Sequence, residues 1–223
     1  MVPTFTISDT ELAAHVRTEL DWDPAVILAD LGVASSDGQV TLRGTAASYR
    51  AKYAASNAAH RVRGVRGLTN RIVVDPAAPG TRPDAAIRVD VRSALALDLD
   101  VPLDRLDVGV DGGMVTLSGT LDHFYQRASA EDDARRIAGV AGVTNAIAVL
   151  PPVAIADDVA ERIAQAFIRH ADLFDDNVSV AVAGNRVALG GTVRTWSEYD
   201  EAAIAAWRAA GVGAVVNNII VTH

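Results

Sequence analysis

Six cations crowd a short stretch of the chain: Arg50, Lys52, Arg61, Arg63, Arg66 and Arg71. Guanidinium and ammonium groups at that density can take phosphate or carboxylate oxygens through charge-assisted hydrogen bonds. The competing reading is a solvated helix face, the ordinary place for surface charge. Carboxylates gather elsewhere, at Asp98, Asp100, Asp104, Asp107 and Asp111. Their oxygens suit a hard cation, but the order lacks the loop glycine and the closing glutamate of an EF-hand, so loop acids in solvent are expected and no metal site. His15, His60, His123, His170 and His223 include no pair four residues apart on a helix, which leaves histidine ligation of a metal unexpected. There is no cysteine, and neither a nucleophile elbow nor a phosphate-binding loop is present. Catalytic residues and cofactors are therefore expected to be none, and the chain is expected not to be an enzyme.

The elements that must position these groups come in three copies. VTLRGT leads to GVRGLTN, VTLSGT to GVAGVTN, and VALGGT to GVGAVVN. In each copy a glycine (Gly44, Gly119, Gly191) precedes an asparagine (Asn70, Asn145, Asn217) by 26 residues, and an aromatic (Tyr49, Phe124, Trp196) stands five past the glycine. Identical internal spacing marks a repeated fold, so a repeated position serves architecture before it serves a ligand.

Each copy opens on an apolar i, i+4, i+8 stripe: Leu12, Val16, Leu20, then Ile87, Val91, Leu95, then Val159, Ile163, Phe167. Asp9, Asp84 and either Asp157 or Asp158 stand where they could cap these helices. Two short strands follow, with tight turns at Asp37-Gly38, Gly112-Gly113 and Gly184-Asn185. A second helix is expected over about 48–63, 122–138 and 195–210. Its buried stripe would start at the aromatic, as core, and continue through small residues such as Ala55 and Ala59. Gly64, Gly139 and Gly211 would stop it as C′ residues. An alternating strand through the asparagine closes each unit. The glycines Gly44, Gly119 and Gly191 are read as strand-to-helix corners, and the asparagine amides as facing inward to satisfy backbone groups, with a carbonyl-lined ion site as the lesser alternative.

These periodicities predict an α+β protein of three tandem αββαβ units, 8–75, 82–150 and 153–222, each with two helices on one face of a three-stranded mixed sheet. The proline-rich stretch at 75–83 separates the first unit, whereas Pro151-Pro152 is almost no linker, so units two and three should form the more rigid pair.

The order helix, G-x-V-T-L-x-G-T, aromatic, alanine-striped helix, G-V-x-x-V-x-N-x-I-x-V resembles the BON domain (bacterial OsmY and nodulation), and the resemblance covers nearly the whole chain. It implies a non-enzymatic module found in osmotic-shock, secretin and channel-associated proteins, with phospholipid or cell-envelope surfaces as ligand. Some cytoplasmic relatives are linked to potassium binding.

Charge separates the copies. Of a net -8, residues 1–80 contribute 8 acidic and 8 basic groups, residues 81–150 have 11 and 7, and residues 151–223 have 9 and 5. An acidic chain is a poor binder of nucleic acid, which is held by cationic contacts to phosphates. Any anion site belongs in unit one. At the positions of its six cations unit three has Ser197, Tyr199, Arg208, Ala210, Gly213 and Asn218, so the cluster is no fold requirement. The expected partner is an anionic phospholipid surface or another protein, met through unit one. The alternative is an ion-binding or self-assembling protein, a homo-oligomer in which the acidic units meet the basic one. MVPTFTISDTEL has neither a basic run nor an apolar one, so the expected location is cytoplasmic, with peripheral membrane contact open.

Overall fold

The computed structural model describes residues 7–75, 82–153, 157–169 and 177–222. Most of the expected 75–83 linker, residues 170–176 with His170, and His223 lie outside the described residues. The chain divides into two compact units, one ending at residue 81 and one spanning 82–222.

In the first unit α1 (Asp9–Trp22) leads to β1 (Leu28–Ser36), β2 (Gln39–Ala46), α2 (Tyr49–Arg61) and β3 (Gly67–Val74). β2 is central, antiparallel to β1 and parallel to β3. Ser8 starts α1 through a capping box: its hydroxyl accepts from the Glu11 N–H at 3.3 Å while the Glu11 carboxylate accepts from the Ser8 N–H at 3.0 Å. The stripe Leu12, Val16, Leu20 is buried, as are Ala55 and Ala59 of α2 and the alternate sheet positions Val40, Leu42 and Ile72, and α1 packs on β1 while α2 packs on β2 and β3.

The second unit contains two more copies. One is α3 (Asp84–Leu97), β4 (Leu106–Asp111), β5 (Met114–Leu121), α4 (Phe124–Arg135) and β6 (Gly142–Val149). The other is α5 (Val159–Arg169), β7 (Val178–Ala183), β8 (Arg186–Val193), α6 (Trp196–Trp207), β9 (Ala214–Asn217) and β10 (Ile220–Val221). Pairing repeats the first unit, β4 and β7 antiparallel and β6 and β9 parallel to the central strand. The third copy differs in that its last strand is broken at Asn218-Ile219, and β10 resumes parallel to β8. The Phe124 and Trp207 rings stack with centroids 4.4 Å apart and planes within 8°, joining the start of α4 to the end of α6.

Four expectations change. Asp9 and Asp84 cap no helix: the Asp9 carboxylate accepts from the Asp37 N–H and the Ser35 hydroxyl, and Asp84 from the Gly112 and Gly113 N–H groups. They clamp the hairpin turn, whose residues at positive φ (Asp37, Gly38, Gly112, Gly113) point their amides off the ladder.

The second helices end earlier than expected, at Arg61, Arg135 and Trp207. Gly64, Gly139 and Gly211 are therefore not C′ residues. They sit third in a separate four-residue turn, closed by Val65 N–H to Val62 O, Val140 to Ile137 and Val212 to Ala209 at 3.2–3.3 Å. That place requires the positive φ they adopt, 105°, 90° and 87°.

Gly44, Gly119 and Gly191 lie inside β2, β5 and β8 and not at the corner to the helix. A Cβ there would run into the carbonyl oxygen of Ala29, Arg105 or Asn177 from the adjoining first strand or the residue before it. The backbones approach too closely for a side chain.

Tyr49, Phe124 and Trp196 each form the first residue of their helix but are half-buried, not core. Small side chains in the second helix, Ala55 and Ala59, Ala130 and Ala134, Ala202 and Ala206, are fully buried instead. The half-buried Trp196 ring packs against the core of its repeat, and the Phe124 ring lies on Trp207.

Candidate functional site

The six cations of the first repeat do not form one surface. Arg61, the last residue of α2, donates to Glu19 and to Asp23 at 2.8 Å each. The Arg61 guanidinium, and then the Ala25 N–H, hold the Asp23 carboxyl below the usual carboxylate range. Arg61 thus ties the end of α2 to the end of α1 and is a neutralised cation. Arg50 and Lys52 stand in the first turn of α2, which has no acidic residue to meet the helix dipole. Arg63 and Arg66 are exposed on the turn after α2, where the Arg66 N–H donates to Gly38 O at 2.9 Å. Among the described residues Arg50, Lys52, Arg63, Arg66 and Arg71 make no ion pair.

Arg71 belongs to the opposite face. Ile72 and Leu42 point at the helices, so their neighbours Arg71 and Arg43 point away from them, and both are exposed. Arg43 and Arg71 are partners in the parallel β2–β3 register. Reading the cations as one cluster along the chain missed Arg43, although the signal was present. VTLRGT has arginine where VTLSGT has Ser118 and VALGGT has Gly190.

The three asparagines share one arrangement. Asn70 Nδ2 donates to Lys52 O at 3.0 Å and to Ser56 Oγ at 2.8 Å, while its Oδ1 accepts from the Ile72 N–H. Asn145 donates to Arg127 O and Glu131 Oε2 and accepts from Ile147. Asn217 donates to Tyr199 O and accepts from Ile219. Each amide fastens the last strand to the carbonyl of the fourth residue of the second helix.

The acids of the second repeat disperse. Asp98 accepts from the Asp100 N–H, Asp104 lies in a 3-10 turn with Arg105, and Asp107 and Asp111 are exposed along β4. Arg105 donates twice to Asp122, whose carboxyl is thereby held below its usual range. Burial first, then the neighbouring Asp98 carboxylate, push the Asp133 carboxyl up. Among the described residues no three His, Cys, Asp or Glu side chains are grouped to hold a metal. No described helix is long and apolar enough to cross a membrane.

Fold and surface together define an α+β tandem-repeat protein whose copies share their internal fastenings and differ in surface charge. The chain belongs to the BON domain family, whose model matches residues 8–76, 83–151 and 156–223. It is similar to Osmotically-inducible protein Y of Escherichia coli (strain K12), 29% identical over 143 residues, 62% of this chain and 71% of that protein. Among solved structures, the C-terminal domain of CdsD, the structural protein of the type III secretion system of Chlamydia trachomatis, aligns at 14% identity with a TM-score of 0.27. That alignment covers 97% of this chain and all of that one. The PrgH periplasmic domain aligns at 12% identity and a TM-score of 0.22, over 86% of this chain and 95% of that one. Likenesses of that size carry no argument.

Proposed function

We propose that this chain is a binding and scaffold protein, with no chemistry of its own, that meets an anionic phospholipid surface or an acidic protein partner through its first repeat. The observation that supports this reading is that, among the described residues, Arg50, Lys52, Arg63, Arg66 and Arg71, and Arg43 with them, make no ion pair, in a chain of net charge -8. Two of them occupy the amino-terminal turn of α2, where the helix dipole disfavours positive charge and an arriving anion would be favoured. A role in osmotic stress or at the cell envelope is the setting that the similarity to an osmotically inducible protein suggests.

Co-sedimentation with anionic vesicles at low and high salt tests it. Binding that falls steeply with salt supports the reading, and no binding at any ionic strength removes it. A second reading, assembly of the chain with itself, draws on the exposed Asp107 and Asp111 of β4, which could meet the first repeat of another copy. A mass in light scattering that grows with concentration and collapses in salt would favour that reading.

A further inference from the structure

We propose that Arg43 and Arg71 form a binding site for phosphate monoester headgroups of a lipid surface, on the open face of the sheet of the first repeat. The proposal rests on the first repeat being the anion-binding one and names the atoms that do it.

The pair sits side by side because β2 and β3 are parallel and in register at these positions, which sets the backbones about 4.8 Å apart. Two like charges directly across a ladder destabilise it. Nothing in the fold asks for them: the matching pairs are Ser118 and Ala146 in the second repeat, and in the third Gly190 stands beside the break in the last strand. Neither arginine has a carboxylate within ion-pair reach among the described residues. The charged residues on the three strands are these two and Asp30, which lies in the bulge of β1 and pairs with neither.

Space is kept open around them. The β1 residue opposite Arg43 is Gly32, which adds no side chain, and β3 is the sheet edge beyond Arg71. Thr41, Thr45 and Thr69 share the face by strand alternation and supply hydroxyls. Apart from Val73, which lies beyond Arg71 on the same face and is itself 63% exposed, these neighbours are small, so no wall rises to enclose a free small molecule. A flat cationic face suits groups that a surface presents. The two guanidiniums carry two positive charges and ten N–H donors between them. A phosphate monoester close to doubly ionised matches them, whereas a diester with a single charge leaves one arginine uncompensated.

The experiment is co-sedimentation of the full chain with phosphatidylcholine vesicles containing an equal fraction of phosphatidic acid, a monoester, or phosphatidylglycerol, a diester. At about pH 7.5 the monoester vesicles should bind on the order of fivefold more tightly, and the advantage should vanish near about pH 5, where the monoester holds its second proton. Arg43→Gln/Arg71→Gln should remove the advantage while the melting temperature holds or rises, since a like-charge contact is relieved. Arg50→Gln/Arg63→Gln/Arg66→Gln should keep it.

Equal binding of the two lipids, or loss of the advantage only in the Arg50/Arg63/Arg66 variant, overturns the arginine pair and leaves the broader reading of the first repeat standing. Wild-type chain that binds neither vesicle overturns both. Capture of soluble glycerol phosphate without vesicle binding overturns the lipid source.

Discussion

Asp84 holds Gly113 across 29 residues of sequence: the carboxylate at the start of α3 accepts the Gly113 N–H at 2.9 Å and the Gly112 N–H at 2.8 Å. Those two glycines form the β4–β5 turn at positive φ, so their amides have no ladder partner and the helix supplies one. In the first repeat Asp9 does the same for Asp37 and Gly38. Removing the clamp in Asp84→Ala should cost about 1–3 kcal/mol, because it leaves two amides without a charged acceptor. Urea unfolding checks it.

Acid should release the first of these clamps. The Asp37 N–H first, then the Ser35 hydroxyl and last the Gly38 N–H, hold the Asp9 carboxyl below its ordinary value against an opposing effect of desolvation. A depressed folded pKa contributes stability above the unfolded value, near about 4, and that stability is lost as pH falls through the folded pKa. Asp9→Asn should therefore flatten the stability profile of the chain below about pH 4, as read by thermal melts at graded pH. An unchanged profile would show that the carboxylate makes no such difference.

Gly139→Val should destabilise the second repeat by at least about 2 kcal/mol, since a β-branched residue fits poorly at positive φ. The φ is 90°, and a Cβ would also press on Ile87 of α3 at 3.0 Å. Differential scanning calorimetry should show the loss. The same substitution at Gly112, where a Cβ meets nothing within 4 Å, should cost less.

Asn145→Ala removes the amide that joins Arg127 O, Glu131 and the Ile147 N–H. The expected cost is about 1–3 kcal/mol, from groups left without partners between helix and strand. Hydrogen exchange at Ile147 should accelerate before that of residues in β4.

The Phe124–Trp207 stack predicts coupling. In a double-mutant cycle, Phe124→Ala and Trp207→Ala should interact by about 0.5–1.5 kcal/mol beyond their separate losses. Additive effects would mean that the rings merely share a surface.

What the sequence by itself determined about this protein is what repeats. The stripe Leu12, Val16, Leu20 and its two counterparts show one apolar face per helix, and the alternation around Leu42 and Ile72 shows one buried sheet face, because side-chain direction follows local periods of 3.6 and 2. Hence the αββαβ order, the three copies and the family were legible from residue types and spacing alone. The tertiary structure decided where the polar groups go. Asp9 and Asp84 pass over their own helix ends to a hairpin far along the chain, and Arg61 spends its charge on Glu19 and Asp23, since a charged group takes whichever partner folding brings nearest. The cluster read along the sequence came apart for the same reason. Arg71 was sorted to the open face beside Arg43 by strand register, a relation between segments that no local pattern contains.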